Sequence, residues 1–269
     1  MTNQKILVID PQLAGIAGDM FVAALMDLGA DINAVVAAME ASVNYVPNCD
    51  KVTVKPQPVA RSHIGGLFLD IHIEETYTTR PGKVLLNAVQ TMIKDLRLSK
   101  PAAAYAKRAI QILVDAEATV HRHPPEKVHL HGAGSVDTVL DIIGAATALE
   151  NLGIADANST KYYTLPIAVG GGTFMSGHGQ LAAPGPAVTN ILTKYKLTFK
   201  GGPHTHEMAT PTGISLLAAL NPISTQVFPE LVPIAVGYGA GTGEIPGVPN
   251  LLRFVLGKSS LTSTPQEGE

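Results

Sequence analysis

The stretch Ile6-Leu-Val-Ile-Asp10, continued by Pro11-Gln-Leu-Ala-Gly15-Ile-Ala-Gly18 and then by Asp19-Met-Phe-Val-Ala-Ala-Leu-Met-Asp-Leu28, sets the fold class. Four apolar residues ending on a carboxylate read as a buried strand. The two glycines make a turn, and Phe21, Leu25 and Leu28 recur at helical spacing, which predicts a helix from about Asp19 to Leu28. Gly29 stops it, and Asp31 is placed to cap a second helix reaching Met39. Lys51–Val59 and Gly66–Glu74 read as strands; in the second, Leu67, Leu69, Ile71 and Ile73 alternate with Phe68, Asp70, His72 and Glu74, one face drier than the other. Helices are expected over Lys83–Leu96, Ala102–His121 and Val136–Leu152, then over Pro186–Tyr195 and Pro211–Leu220. Short extended Val128–His131 and strands Tyr162–Val169, Leu231–Gly237 and Leu251–Leu256 complete the reading. The expectation is an α+β (mixed α/β) fold, compact, with a helical middle section and strand-rich ends. Residues 1–257 form one compact unit or two intertwined lobes; 258–269, rich in Ser, Thr, Pro, Gln and Glu, read as a disordered tail.

Composition narrows the function. The chain has 269 residues, a formal charge of −3 and no tryptophan. Without a run of Lys and Arg or an aromatic stacking platform, no nucleic-acid partner is expected. One cysteine, Cys49, excludes an intrachain disulfide and a cysteine-based metal cluster. No segment approaches the ~20 apolar residues of a membrane span, so neither membrane nor export is expected and the predicted location is cytoplasmic. The 26 glycines are spread through short motifs, where close backbone approach to a ligand becomes possible.

The sharpest constellation is His129-Leu-His131-Gly-Ala-Gly-Ser135-Val-Asp137-Thr-Val-Leu-Asp141. On an extended segment His129 and His131 share a face, and Ser135 as a helix cap puts Asp137 and Asp141 one turn apart. Imidazoles with carboxylates and no thiols suit nickel, zinc, iron or manganese. The plainer reading is a capped helix after two exposed histidines, and spacing alone does not separate the two.

Other segments are weaker. His204-Thr-His206-Glu207 repeats the geometry, with His206 a candidate metal ligand; Thr210-Pro-Thr212-Gly213 opens a helix whose N-terminus suits a phosphate or carboxylate. Asp10 and Asp19 flank the first turn as candidate catalytic carboxylates, with Gly15 and Gly18 as ligand-binding glycines, although a capped helix would explain the pattern equally. Gly170-Gly171-Gly172 leads to His178, a further candidate ligand, and Gly237-Tyr-Gly-Ala-Gly-Thr-Gly243 precedes Arg253, a candidate phosphate partner. Both glycine runs are either N–H nests or tight turns. His63, His72, His121 and His123 read as surface or packing residues. No nucleophile elbow or paired cysteine supports a triad hydrolase.

Taken in order, six segments resemble the nickel-insertion protein family of nickel-pincer nucleotide cofactor synthesis: Asp10 to Met20, His129 to Asp141, Gly170 to Pro186, Glu207 to Gly213, Gly237 to Thr242, and Pro249 to Arg253. The resemblance implies insertion of Ni²⁺ into pyridinium-3,5-bisthiocarboxylic acid mononucleotide, forming one Ni–C and two Ni–S bonds with consumption of CTP. Under it His129, His131, Asp137, Asp141, His178 and His206 supply metal ligands, Asp10 and Asp19 act in the chemistry, and Gly171, Gly172, Thr210, Thr212, Gly213 and Arg253 hold the nucleotide.

The chain departs from the family pattern. Gly132 replaces a glutamate, Ser176 replaces a common cysteine, the turn Pro11–Ala14 is one residue longer, and Glu75–Arg80 lacks the usual histidines. In the family a C-terminal domain carries CTP binding, so a separate C-terminal CTP-binding polypeptide is expected as a partner; a homo-oligomer is expected as well. Two alternatives stay open: a divergent paralogue that binds a divalent metal or nucleotide without the insertion chemistry, and a metal-dependent phosphohydrolase.

Overall fold

The computed structural model describes residues 4–131, 133–243, 245 and 247–259. Strand β1 (Lys5–Asp10) lies inside a seven-stranded mixed sheet, and α1 (Gly18–Asp27) and α2 (Ile32–Glu40) follow it. The long hairpin β2 (Cys49–Arg61) and β3 (Ile64–Glu75) comes next, then short β4 (Arg80–Pro81), α3 (Gly82–Asp95) and α4 (Lys100–His121). Short β5 (His129–Leu130) precedes α5 (Val136–Asn151). The last third holds β6 (Thr160–Thr164), β7 (Ile167–Ala168), β8 (Thr173–Ser176), β9 (Gly179–Ala182), α6 (Pro186–Tyr195), β10 (Phe199–Lys200), α7 (Pro211–Ala219), β11 (Ile223–Ser224), β12 (Leu231–Ala240) and β13 (Leu251–Ser259).

The main sheet runs β11-β6-β1-β13-β12-β3-β2. β1 pairs parallel to β6 and antiparallel to β13, and β3 pairs parallel to β12 and antiparallel to β2. Leu7, Val8 and Ile9 are fully buried because β1 is covered on both faces. Helices occupy one face, where the main core lies; on the other, Ile6, Val8, Leu165 and Val255 form a small second cluster. α5 is apolar nearly all round and accordingly sits within the helical layer against α1, α2, α3 and α4.

Two readings of the sequence change. The strand expected over Tyr162–Val169 is split at Leu165-Pro166: proline has no N–H to donate, and β7 leaves the main sheet to pair with β10. Of the run Gly237–Gly243, read as a nest or a tight turn, Gly237–Ala240 instead belongs to β12, and only Gly241–Gly243 follows the strand. Gly237 and Gly239 are bare because α1 lies directly on them; a Cβ at Gly239 would sit 1.9 Å from the Met20 carbonyl oxygen. At the C-terminal end, β13 takes in Lys258 and Ser259, with Lys258 opposite Lys5; residues 260–269 of the expected tail lie outside the described residues.

Candidate functional site: a histidine cluster at an acid-lined cavity

Four helices begin at one cavity of about 810 Å³. Its wall contains Ala17 to Asp19 of α1, Asp137, Thr138 and Asp141 of α5, Gly185 to Ala187 of α6, and Thr210 to Thr212 of α7. α4 arrives from the opposite direction, presenting Glu117 and His121 from its C-terminal turns. The polarity follows from helix dipoles: N-termini favour negative charge and a C-terminal end favours a cation. α1 and α6 carry no side-chain cap, whereas Thr210 caps α7 by accepting from the Gly213 N–H at 3.2 Å.

At the α4 end, His121, His131 and His178 converge, with one nitrogen from each within 4.8 Å of the others. His121 and His178 approach Nε2 to Nε2 at 3.2 Å. They come from three places: the last residue of α4, the residue after β5, and the tip of the β8–β9 hairpin. The hairpin is fixed locally, since Ser176 Oγ accepts from the His178 N–H and donates to the Gly179 carbonyl. Burial, then the neighbouring His178 and His131, push the His121 pKa down, so this imidazole stays neutral and available as a ligand. Glu117, one turn earlier on α4, places Oε2 3.7 Å from His121 Nε2, and burial raises its carboxyl to about 7.

The other end is acidic. Burial raises Asp19, lifts Asp137 to about 6, and holds Asp141 well above the carboxylate range; Asp137 and Asp19 add to the effect on Asp141. Glu207, raised by burial to about 7, completes this wall. The first turn of α5 is clamped from behind. Arg80, buried, pairs with Glu75 at 2.6 Å and donates to the carbonyls of Gly134 and Pro47. Glu75 in turn accepts from Ser135 Oγ and the Val136 N–H. The segment Glu75–Arg80, singled out in the sequence for lacking histidine, is therefore what orients Asp137.

Of the residues named from the sequence, Gly18, Asp19, His131, Asp137, Asp141, His178, Thr210 and Thr212 line the cavity. His131 meets His178 and His121 rather than His129, which is exposed and lies outside both the convergent group and the cavity wall. Asp137 and Asp141 share the cavity but stand outside the group of histidine donors. Asp10 and Arg253 pair with each other at 2.5 Å away from the cavity wall, Arg253 also lying over the Phe228 ring at 5.0 Å. Gly15 serves packing, since its φ is +69° and a Cβ would meet the Met208 carbonyl oxygen at 1.9 Å. Gly213 likewise packs on Ile16 and Ala17. Gly171 and Gly172 run beside His204 and Thr205, and His206 stacks on His204 at 5.5 Å. Gly132 lies outside the described residues. His121, with Glu117 beside it, is what the sequence reading missed. Its signal was available in Glu117 and His121 at i and i+4 on the last turn of a long helix, where a carboxylate can orient a ligating imidazole.

A sequence profile described as nickel insertion protein matches residues 7–268. The chain belongs to the nickel insertion protein family. Relatives in this family include proteins from Methanothermobacter thermautotrophicus (35% identical over 95% of this chain), Methanosarcina barkeri (38% over 94%) and Geobacter sp. strain M21 (34% over 94%), each provisionally named a nickel insertion protein. The matched region spans 60%, 59% and 62% of these relatives, so the chain covers about three fifths of their length. No solved structure matches. Among the described residues, no helix is long and apolar enough to cross a membrane.

Proposed function

We propose that this chain holds Ni²⁺ on His121, His131 and His178 as cargo and presents it to a pyridinium-3,5-bisthiocarboxylic acid mononucleotide seated in the adjoining cavity. The observation that carries the reading is the convergence of three imidazole nitrogens within 4.8 Å at the wall of an 810 Å³ space. Imidazole nitrogens suit nickel, and three of them leave coordination positions for incoming sulfur and carbon. The volume lies in the range of small-molecule sites, about 300–1,000 Å³. Forming the Ni–C bond displaces a ring proton. Glu117, beside His121 and with a pKa of about 7, is suited to take it near neutral pH. In this proposal the CTP-consuming step belongs to a partner domain or polypeptide, and the reaction is cytoplasmic. A carrier role without metal–carbon bond formation is the second reading, and Ser176 beside His178, where a thiol is common, favours it.

Calorimetric titration with NiCl₂ tests the binding claim. His131→Ala and His178→Ala are each expected to weaken Ni²⁺ by about tenfold or more, with Mg²⁺ a poor competitor. Unchanged Ni²⁺ affinity in both variants refutes it. Supplying the nickel-loaded chain with precursor, CTP and the C-terminal polypeptide, then assaying for nickelated nucleotide, separates insertion from carriage.

A further inference from the structure

Asp19, Asp137 and Asp141 form a second group in the same cavity, outside the histidine donors that hold nickel in the reading above. α1 delivers Asp19, and α5 delivers Asp137 and Asp141 one turn apart. Their approach depends on Gly18, where a Cβ would lie 1.9 Å from Asp141 Oδ2. Asp141 is 2% exposed, lines the cavity, and its Oδ1 has no hydrogen-bond partner. A buried, unpaired carboxylate is costly unless it is protonated or meets a cation. The protein supplies none nearby: the cavity wall holds the carboxyls of Asp19, Asp70, Glu117, Asp137, Asp141 and Glu207, and no Lys or Arg among the described residues. Yet four helix N-termini open on this space, an arrangement that attracts anions. A cation between the carboxylates and an anionic ligand reconciles the two.

We propose that a second, hard divalent cation of the Mg²⁺ type, separate from the nickel on the histidines, sits among Asp19, Asp137 and Asp141, held directly by Asp141 and at most one other of these carboxylates and through water by the rest, and bridges them to an anionic group of the substrate. Oxygen-only donors select this class over nickel. The geometry is looser than at the histidines, since among the described residues only His121, His131 and His178 have donors all within 4.8 Å of one another. That suits an ion which keeps several waters and takes one or two carboxylates plus a ligand oxygen. This inference stands apart from the nickel reading, because its ligands and its ion are different.

Mn²⁺ serves as the probe, added to the full chain preloaded with one equivalent of Ni²⁺ and counted by loss of the free-ion EPR signal. One bound Mn²⁺ per chain, displaced by Mg²⁺, is expected. Asp141→Asn should weaken Mn²⁺ by about tenfold or more and leave Ni²⁺ within about twofold; His131→Ala should do the reverse. Asp137→Asn provides the same reading if Asp141→Asn fails to fold, judged by circular dichroism. Absence of Mn²⁺ binding to the nickel-loaded chain, or Mn²⁺ binding untouched by either aspartate variant, overturns the proposal and leaves protonated carboxyls. Loss of Mn²⁺ binding in His131→Ala also overturns it, by showing one shared site. If no Ni²⁺ binds to the wild-type chain, the nickel reading fails while the Mn²⁺ count still decides this one.

Discussion

Asp10 illustrates how far a single side chain depends on its tertiary neighbours. It ends a buried strand beside a glycine turn, a place where α/β proteins put ligands, but Arg253 from the far end of the chain occupies it at 2.5 Å. Asp10 is largely buried while the Arg253 side chain is 38% exposed, so solvent screens part of the attraction. Asp10→Asn is expected to lower stability by about 1–3 kcal/mol, the cost of leaving a partner unsatisfied, with Ni²⁺ affinity unchanged. Thermal melts and a nickel titration on the same variant check both parts. His129 makes a matching control: exposed and outside the convergent group, it should tolerate alanine without loss of Ni²⁺ binding, and a large loss would move the site.

The elements meet at positions where one side chain or one missing Cβ sets the distance. Arg80 is buried between β3 and the start of α5, and removing one partner of such a pair leaves the other charge uncompensated. Arg80→Leu is therefore expected to cost about 3–5 kcal/mol and to release the first turn of α5, measured as a lowered denaturation midpoint. Gly239→Ala acts on the other side of the site. Its Cβ would press on the Met20 carbonyl oxygen and push α1 off β12, a strain of about 1–3 kcal/mol. Because α1 carries Asp19, the same variant should weaken hard-cation binding more than nickel binding.

At the scale of the whole molecule, burial of acids makes stability depend on pH in an unusual direction. Asp137 rises from 3.8 to about 6, and Glu117 and Glu207 rise from 4.5 to about 7. Between the ordinary and raised values the folded chain binds more protons than the unfolded chain, so stability falls as pH rises through that window. In EDTA the melting temperature should drop from about pH 5 to about pH 7, and divalent metal should restore most of the loss. A melting temperature that climbs over the same interval would show these groups ionised at no cost in the folded state.

The sequence by itself determined the element types and the family. Apolar periodicity marked β1, α1, α4 and α5 closely, Asp31 and Ser135 cap the helices they were expected to cap, and the order of six motifs pointed to nickel insertion. Such signals are local: they depend on spacing along one segment, which the chain carries wherever it folds. Only the tertiary structure decided which residues share a site. His121, His131 and His178 stand 10 and 47 residues apart in the chain, and Asp19 meets Asp141 across 122 positions. No local spacing encodes those meetings, because they arise from how α4 and a hairpin end together and how two helix N-termini open on one cavity. The strand order, the Asp10–Arg253 pair and the bare glycines beneath α1 have the same origin: long-range packing fixed them, and a residue's nearest neighbours in sequence hold no record of it.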